Sequence, residues 1–168
     1  DSITENVAIA NVDTTWTEPS SAYAATYPKN HVFESESGHI KEFDDTTDNE
    51  RIHEYHTAGT FYEIDKDGNK STRVVGSNYE VVAGSNYVNV KGDVNLTIDT
   101  NCNTYIKGDW NIQVDGSKTE VVTGAVSETY KDTKTENVTG AVSESYSSTQ
   151  TTAVSSNLTV TASKIDLN

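Results

Sequence analysis

Two histidines in the segment RIHEYH are the first residues whose type and spacing could support chemistry. His53 and His56 could bind a metal ion together, but they stand only three positions apart. A zinc-binding helix instead presents its two histidines at positions i and i+4. The spacing therefore predicts two histidines on a surface strand and no metal site.

The segment DKDGN at residues 65–69 resembles the opening of a calcium-binding loop. Such a loop needs a glycine at its sixth position and a bidentate glutamate at its twelfth, and this sequence supplies neither there. A tight hairpin turn is predicted instead, because Gly68 after Asp67 can take a positive φ without steric cost.

The sequence shows no combination of residues that is typical of nucleophilic catalysis. Cys102 is the single cysteine of the chain, so it can form no intrachain disulfide. Its place in the repeats described below predicts a small buried thiol. No Ser/His/Asp or Cys/His set has a spacing typical of catalysis. The sequence therefore predicts a protein that is not an enzyme and has no catalytic residue, cofactor or metal.

Composition narrows the class of protein further. The formal net charge of −14 argues against nucleic-acid partners and anionic membrane surfaces, which select basic patches. No apolar run approaches the roughly eighteen residues of a membrane helix. Hydrophobic residues make up 33% of the chain and are mostly Val and Ile, which suits a narrow seam better than a compact core. The first residue, Asp1, suggests a fragment of a longer chain.

Octads organise the second half of the sequence. Over residues 74–161, a valine, isoleucine or tyrosine recurs every eight residues without a slip in phase, and the small residue two positions later is mostly glycine. A fixed repeat this short is typical of a solenoid or fibre in which each repeat contributes one strand. The glycines are predicted to form structural corners between the faces: Gly76, Gly84, Gly92, Gly108, Gly116, Gly124 and Gly140.

Alternation along each strand predicts which side chains face inward. If the Val/Ile position is named a, then glycine is c, and positions a, e and g share one face provided that the corner does not change which face is inside. The predicted interior comprises Val90, Val94, Ile98, Ile106, Trp110, Ile112, Val114, Val122, Val126, Val138, Val142 and Leu158. The same face carries Lys118, Glu120, Glu128, Lys134, Glu136 and Glu144, which predict stacked polar rings unless the parity slips locally and they point outward.

A three-sided prism can be closed by octads in two ways. One chain could coil with about 24 residues per turn, or three chains could each supply one side of every layer. Periodicity alone does not separate the two, but no modulation at every third octad is evident, which favours three chains. The predicted fold is all-β: a trimeric intertwined three-sided β-helix, or β-prism, preceded by a short strand meander.

The upstream part of the chain divides into two zones. Residues 1–36 hold both prolines and predict an extended linker. Residues 37–73 predict a meander of strands over HIKEF, RIHEY, TFYEI and STRVV at the base of the octad repeats, with a helix over 50–56 as the alternative for the second strand. The octad β-helix then spans 74–161, and 162–168 form the C-terminal tip.

The motifs ESGH, EFDDT and NERI follow one another between Glu36 and Ile52 and lead into the octads. Together they resemble the central spike of contractile injection machines, which includes the baseplate needle of contractile-tailed phages and the valine-glycine-repeat (VgrG) spikes of type VI secretion. The resemblance covers about residues 27–167. It implies a homotrimer with an upstream oligosaccharide-binding fold, and in some phage relatives a lysozyme domain that nothing in this chain matches.

The resemblance also implies a place and a partner for the tip. A PAAR-like capping protein would dock at the C-terminal end, where Val160, Ala162, Ile165 and Leu167 are the predicted partner-binding residues. The N-terminal end would join the rest of the tail spike and baseplate in the virion. A tip with a His-x-His iron site is not expected, because all four histidines lie between His31 and His56.

The expected function is therefore that of a membrane-piercing structural needle, which a contracting tail drives through the bacterial outer membrane. Two alternatives stay open from the sequence. One is a single-chain β-helix enzyme that degrades polysaccharide, and the other is a passive trimeric adhesion fibre.

Overall fold

The computed structural model describes residues 4–165 and divides into two compact units, Asp1–Asp109 and Trp110–Asn168. Within the described residues, the regular elements are strands and lie in the first unit. A short hairpin joins β1 (Val7–Ala8) to β2 (Thr15–Trp16). A five-stranded antiparallel sheet follows, with its strands in chain order: β3 (Asn30–Glu34), β4 (Ile40–Asp44), β5 (Arg51–Tyr55), β6 (Phe61–Ile64) and β7 (Lys70–Arg73).

Three of the four connections in this meander use the same five-residue turn. In SESGH (35–39), HTAGT (56–60) and DKDGN (65–69), the first N–H bonds the fifth carbonyl, and the glycine N–H bonds the first carbonyl. The glycine has a positive φ in each case, for example +80° at Gly68. This position needs the left-handed conformation that glycine adopts freely, so the glycines set the turn positions.

The sheet confirms most of the predicted strands and corrects two expectations. Residues 50–56 contain β5, so the alternative of a helix there is wrong. The predicted linker 1–36 holds the β1–β2 hairpin and β3, so the sheet begins at Asn30 rather than at residue 37. β3 escaped the sequence pattern because its two apolar residues, Val32 and Phe33, are adjacent and do not alternate, and because an edge strand is defined by its pairing with β4.

The two faces of the sheet differ in what they bury. All five buried residues in the described chain are polar: Glu42, Asp44, Thr46, Arg51 and Glu63. They belong to one face, named here the polar face, or to the turn beside it. On the opposite face, Phe43, Ile52 and Ile64 align across β4, β5 and β6, and Phe43 remains 46% exposed. No hydrophobic residue among those described is buried, so the single chain has no apolar core.

Within each of the two units, the backbone of residues 76–163 makes no hydrogen bond to another described backbone group. It bends at every octad, at positions b and c, from Val75–Gly76 to Ser155–Ser156. The all-β prediction is thus confirmed for the described residues, and the three-sided β-helix stays a prediction. Among these residues no helix is long and apolar enough to span a bilayer.

Candidate functional site

The octads carry a graded apolar seam. Side chains at position a are the least exposed, at 42% for Ile106 and 50% for Val122, whereas those at e and g are more open, at 61% for Val142 and 64% for Ile112. Apolar residues on the other side of the strand, such as Val81 and Tyr87, reach 91%. The predicted interior residues are therefore all accessible in the single chain, with position a the most sheltered.

Contacts in the second unit test whether a, e and g share a side. Lys118 at e pairs with Glu120 at g, with Nζ and Oε2 2.8 Å apart. Glu128 at g accepts a hydrogen bond from Tyr130 at a, and Lys134 at the next e lies 3.6 Å from Glu128 and over the Tyr130 ring. These side chains meet although the backbone bends at 131–132 between them. The corner therefore keeps them on one side of the chain, which is the condition that the inward-facing assignment requires.

The corner glycines coincide with the bends, but the backbone does not need glycine there. None of the seven has φ in the left-handed region, and a Cβ added at any of them would meet nothing within 4 Å in the single chain. A positive φ is therefore not the reason for glycine at these corners. Thr100 and Asp132 occupy the same position of the octad, so the single chain shows no local requirement for glycine there.

The predicted tip is described only in part. Val160 and Ile165 are exposed, at 63% and 52%, and Ala162 is exposed as well. Leu167 lies outside the described residues. The described part of the tip thus presents apolar side chains to solvent, and its role in docking a cap stays a prediction.

A second site lies on the polar face of the sheet and is named here the arginine hub: Glu42, Arg51 and Glu63. The Arg51 guanidinium donates to both carboxylates, to Glu42 through Nη2 and to Glu63 through Nη1 at 2.7 Å. All three side chains are almost completely buried. Such a desolvated charged triad is stable only while every charge keeps its partner.

Hydrogen bonds from the N-terminal segment complete the hub. Glu63 accepts from the Ser21 hydroxyl at 2.7 Å and from the Ala22 N–H at 2.8 Å. Burial alone would raise the pKa of Glu63, but the bonds from Ala22, Ser21 and Arg51 outweigh it and hold the pKa below its usual range. The carboxylate is therefore charged at neutral pH and serves as an acceptor.

His53, His56 and Asp65 lie in three different local environments. His53 lies on the polar face with Nδ1 3.0 Å from Arg51 Nη1, and burial, followed by the Arg51 charge, lowers its pKa. His56 instead lies at the turn, where its ring stacks 4.4 Å from that of His39. Asp65 accepts three hydrogen bonds from Asp67 and Asn69 within its own turn, which confirms the predicted hairpin turn.

Sequence reasoning missed the arginine hub. A signal was present, because three neighbouring predicted strands each carry one of the charged residues Glu42, Arg51 and Glu63. What the sequence lacked was the register, since a shift of one residue moves a side chain to the opposite face. The pairing of Glu42 and of Glu63 with His53 sets the two glutamates on either side of β5.

The chain is similar to proteins of two phages, one of which is named as a pre-baseplate central spike protein. It is 48% identical over 88 residues to Protein Gp5 of Vibrio phage KVP40, covering 52% of this chain and 21% of that protein. It is 40% identical over 76 residues to the pre-baseplate central spike protein Gp5 of Enterobacteria phage T4, covering 45% of this chain and 13% of that protein. The chain thus spans less than a quarter of the length of these relatives. No family model matches it.

Proposed function

Because the chain is homologous to the central spike protein Gp5 of phage baseplates, we propose that it forms the shaft of such a spike. Three copies would wind into a β-prism, and the prism would be driven through the bacterial outer membrane when the tail contracts. The protein would belong to the tail baseplate of the virion, with its upstream end joined to the remainder of the spike.

The unpaired backbone of the octads carries this proposal. Backbone N–H and C=O groups that leave water must find partners, and those of residues 76–163 find none on the described backbone of their own unit. The same stretch holds the apolar side chains that remain exposed at a, e and g. If neighbouring copies supply adjacent strands, the backbone groups gain hydrogen-bond partners. If the apolar seams of these copies converge on one axis, the exposed side chains become buried.

The exposed area agrees with this requirement. The chain exposes 15927 Å². A compact monomer of 18.3 kDa exposes only about 8,000 Å². The exposed area of this chain is therefore roughly twice that of a compact monomer of the same mass. Association with other copies would bury the excess.

The alternative of a single-chain β-helix is not supported. In such a coil, every octad would pair with the third octad along the chain, and within each described unit no such pairing occurs. The polysaccharide-degrading enzyme that required this coil loses its support in the same way.

Puncture follows from the mechanics of a prism. Each strand of the prism would be hydrogen-bonded to the layers above and below, so bending would require many bonds to break together. The chain is acidic, with a formal net charge of −14, so a shaft built from it would not adhere to anionic lipid during passage. A passive adhesion fibre needs no such stiffness.

A mass measurement tests the trimer. Light scattering on the folded chain should give three times 18.3 kDa, about 55 kDa, and a folded monomer would overturn the proposal. Val142→Asp should abolish the trimer, whereas Ser143→Asp, one residue along on the opposite face, should leave it intact. Both side chains are exposed in the single chain, so only assembly distinguishes them.

Puncture needs its own assay. Intact contractile particles should admit a normally excluded hydrophobic dye into the bacterial outer membrane upon contraction. Particles that retain an assembled spike, contract, and admit no dye would refute the piercing role and leave the trimer untouched.

A small capping protein at the tip is part of the proposal. Three chains that end together would leave open strand edges, which invite pairing unless they are covered. The exposed Val160 and Ile165 add a modest apolar patch beside those edges.

A further inference from the structure

Residues 18–26 cross the polar face of the sheet in a definite order. Glu18 bonds Arg73 at the end of β7, with Oε1 2.6 Å from Nε. Ser21 and Ala22 bond Glu63 on β6, and Tyr23 covers the Arg51 guanidinium of β5 at 5.0 Å. The segment thus meets three successive strands, starting from one edge of the sheet.

The crossing continues to the opposite edge. The Thr26 N–H donates to the Thr46 hydroxyl just beyond β4, at 2.8 Å. The Lys29 carbonyl then accepts from the Asp45 N–H at 3.1 Å, and the chain enters the edge strand β3 at Asn30. One short segment therefore contacts β7, β6, β5 and the turn that follows β4, and it then continues into β3.

We propose that residues 18–26 act as a clasp that fastens the upstream chain to β7, β6, β5 and the turn after β4, and so protects the edge strand β3 from being peeled away. Without the clasp, a force applied to the N-terminal side of the chain would act directly on β3. This edge strand pairs with β4 and with no other strand of the sheet. With the clasp, the force reaches β7 and the arginine hub first.

The chemistry of the clasp suits a fastening that depends on charge and geometry. Its contacts are hydrogen bonds, one ion pair and one cation–π contact, and the buried residues on the face that it crosses are polar. Charge-assisted hydrogen bonds to a desolvated carboxylate are directional, so they fix the position of the segment as well as its attachment. The clasp depends on the sheet alone, so it stands whether or not the shaft pierces a membrane.

A matched pair of proline substitutions tests the clasp on the full assembled chain. Ala22→Pro removes the N–H that donates to Glu63, whereas Ala24→Pro makes the same change at an amide that has no hydrogen bond in the described structure. The measurement is amide hydrogen exchange of residues 26–34, read by mass spectrometry. Ala22→Pro should raise this exchange at least tenfold, and Ala24→Pro should leave it at the level of the unmodified chain.

Three results would overturn the proposal. Exchange in 26–34 that is unchanged by Ala22→Pro would mean that the clasp does not hold β3. An equal rise in both variants would trace the effect to proline rather than to the lost hydrogen bond. A rise that extends equally through β4 and β5 would make the segment part of one folding unit and not a separate fastening. Since puncture is not measured, failure here leaves the proposed function standing, and the reverse also holds.

Discussion

Replacing Arg51 by methionine is the sharpest test of what holds the sheet together. The substitution keeps much of the side-chain volume but removes the one cation that neutralises Glu42 and Glu63, both of which are buried beside it. Removing one partner of a buried ion pair costs about 3–5 kcal/mol, because the remaining charges lose their compensation. That corresponds to roughly two to four powers of ten in the ratio of closed to open sheet.

The matched control is Lys41→Met on the opposite face of the same sheet. Lys41 pairs with Glu54 at 2.9 Å, a distance like those in the hub, but both side chains are about half exposed. Water and salt screen such a pair, so its loss should change the stability very little. Each of the two substitutions therefore removes the cation of an ion pair, and the two pairs differ in how far they are buried.

Hydrogen exchange of the β5 amides measures the free energy of opening the sheet in each variant. Arg51→Met should lower it by the amount given above, and Lys41→Met should leave it nearly unchanged. Adding Glu42→Gln and Glu63→Gln to Arg51→Met should recover more than half of the loss, because the two side chains that Arg51 bonds then carry no charge. Equal effects of the two single substitutions, or no recovery in the triple variant, would refute the role assigned to the hub.

Three further outcomes are expected. Stability should fall in two steps on acidification, because the lowered pKa values of His53 and Glu63 mean that the unfolded chain binds more protons: the first step starts below about pH 6.5 and the second below about pH 4.3. Unfolding midpoints against pH measure this, and His53→Gln should remove only the first step. Gly108→Val should reduce the yield of soluble trimer more than Lys107→Val; equal yields would show that glycine is merely tolerated at the corner. Deleting 163–168 should leave the trimer folded but abolish capture of the cap in a pull-down, and a retained cap would place the docking surface elsewhere.

Local chemistry made the meander predictable. The strands β4 and β5 coincide with the apolar–polar segments HIKEF and RIHEY, and the turn DKDGN lies where Asp67 and Gly68 required it. Turn conformation depends on residues that are neighbours in the chain, so a sequence is enough to locate it. β3 was missed because an edge strand with weak alternation is formed by its partner.

The octads were predictable for another reason. Their regular spacing indicates where the chain bends and predicts that positions a, e and g share one side. The contact of Lys118 with Glu120 and that of Lys134 with Glu128 and Tyr130 agree with this prediction. Spacing alone did not reveal why glycine occurs at the corners, because in the single chain those corners need neither a positive φ nor empty space.

The sequence by itself determined the period of the repeat, the all-β class and the likeness to phage spikes. Each of these depends on patterns among residues that are close together in the chain. Only the tertiary structure decided that Glu42, Arg51 and Glu63 meet in a buried hub and that residues 18–26 close over it. Those contacts join positions that are distant in the chain, such as Ala22 and Glu63, and their energy depends on register and desolvation. Neither quantity can be read from the order of residues, since a shift of one residue would turn the same charges out to solvent.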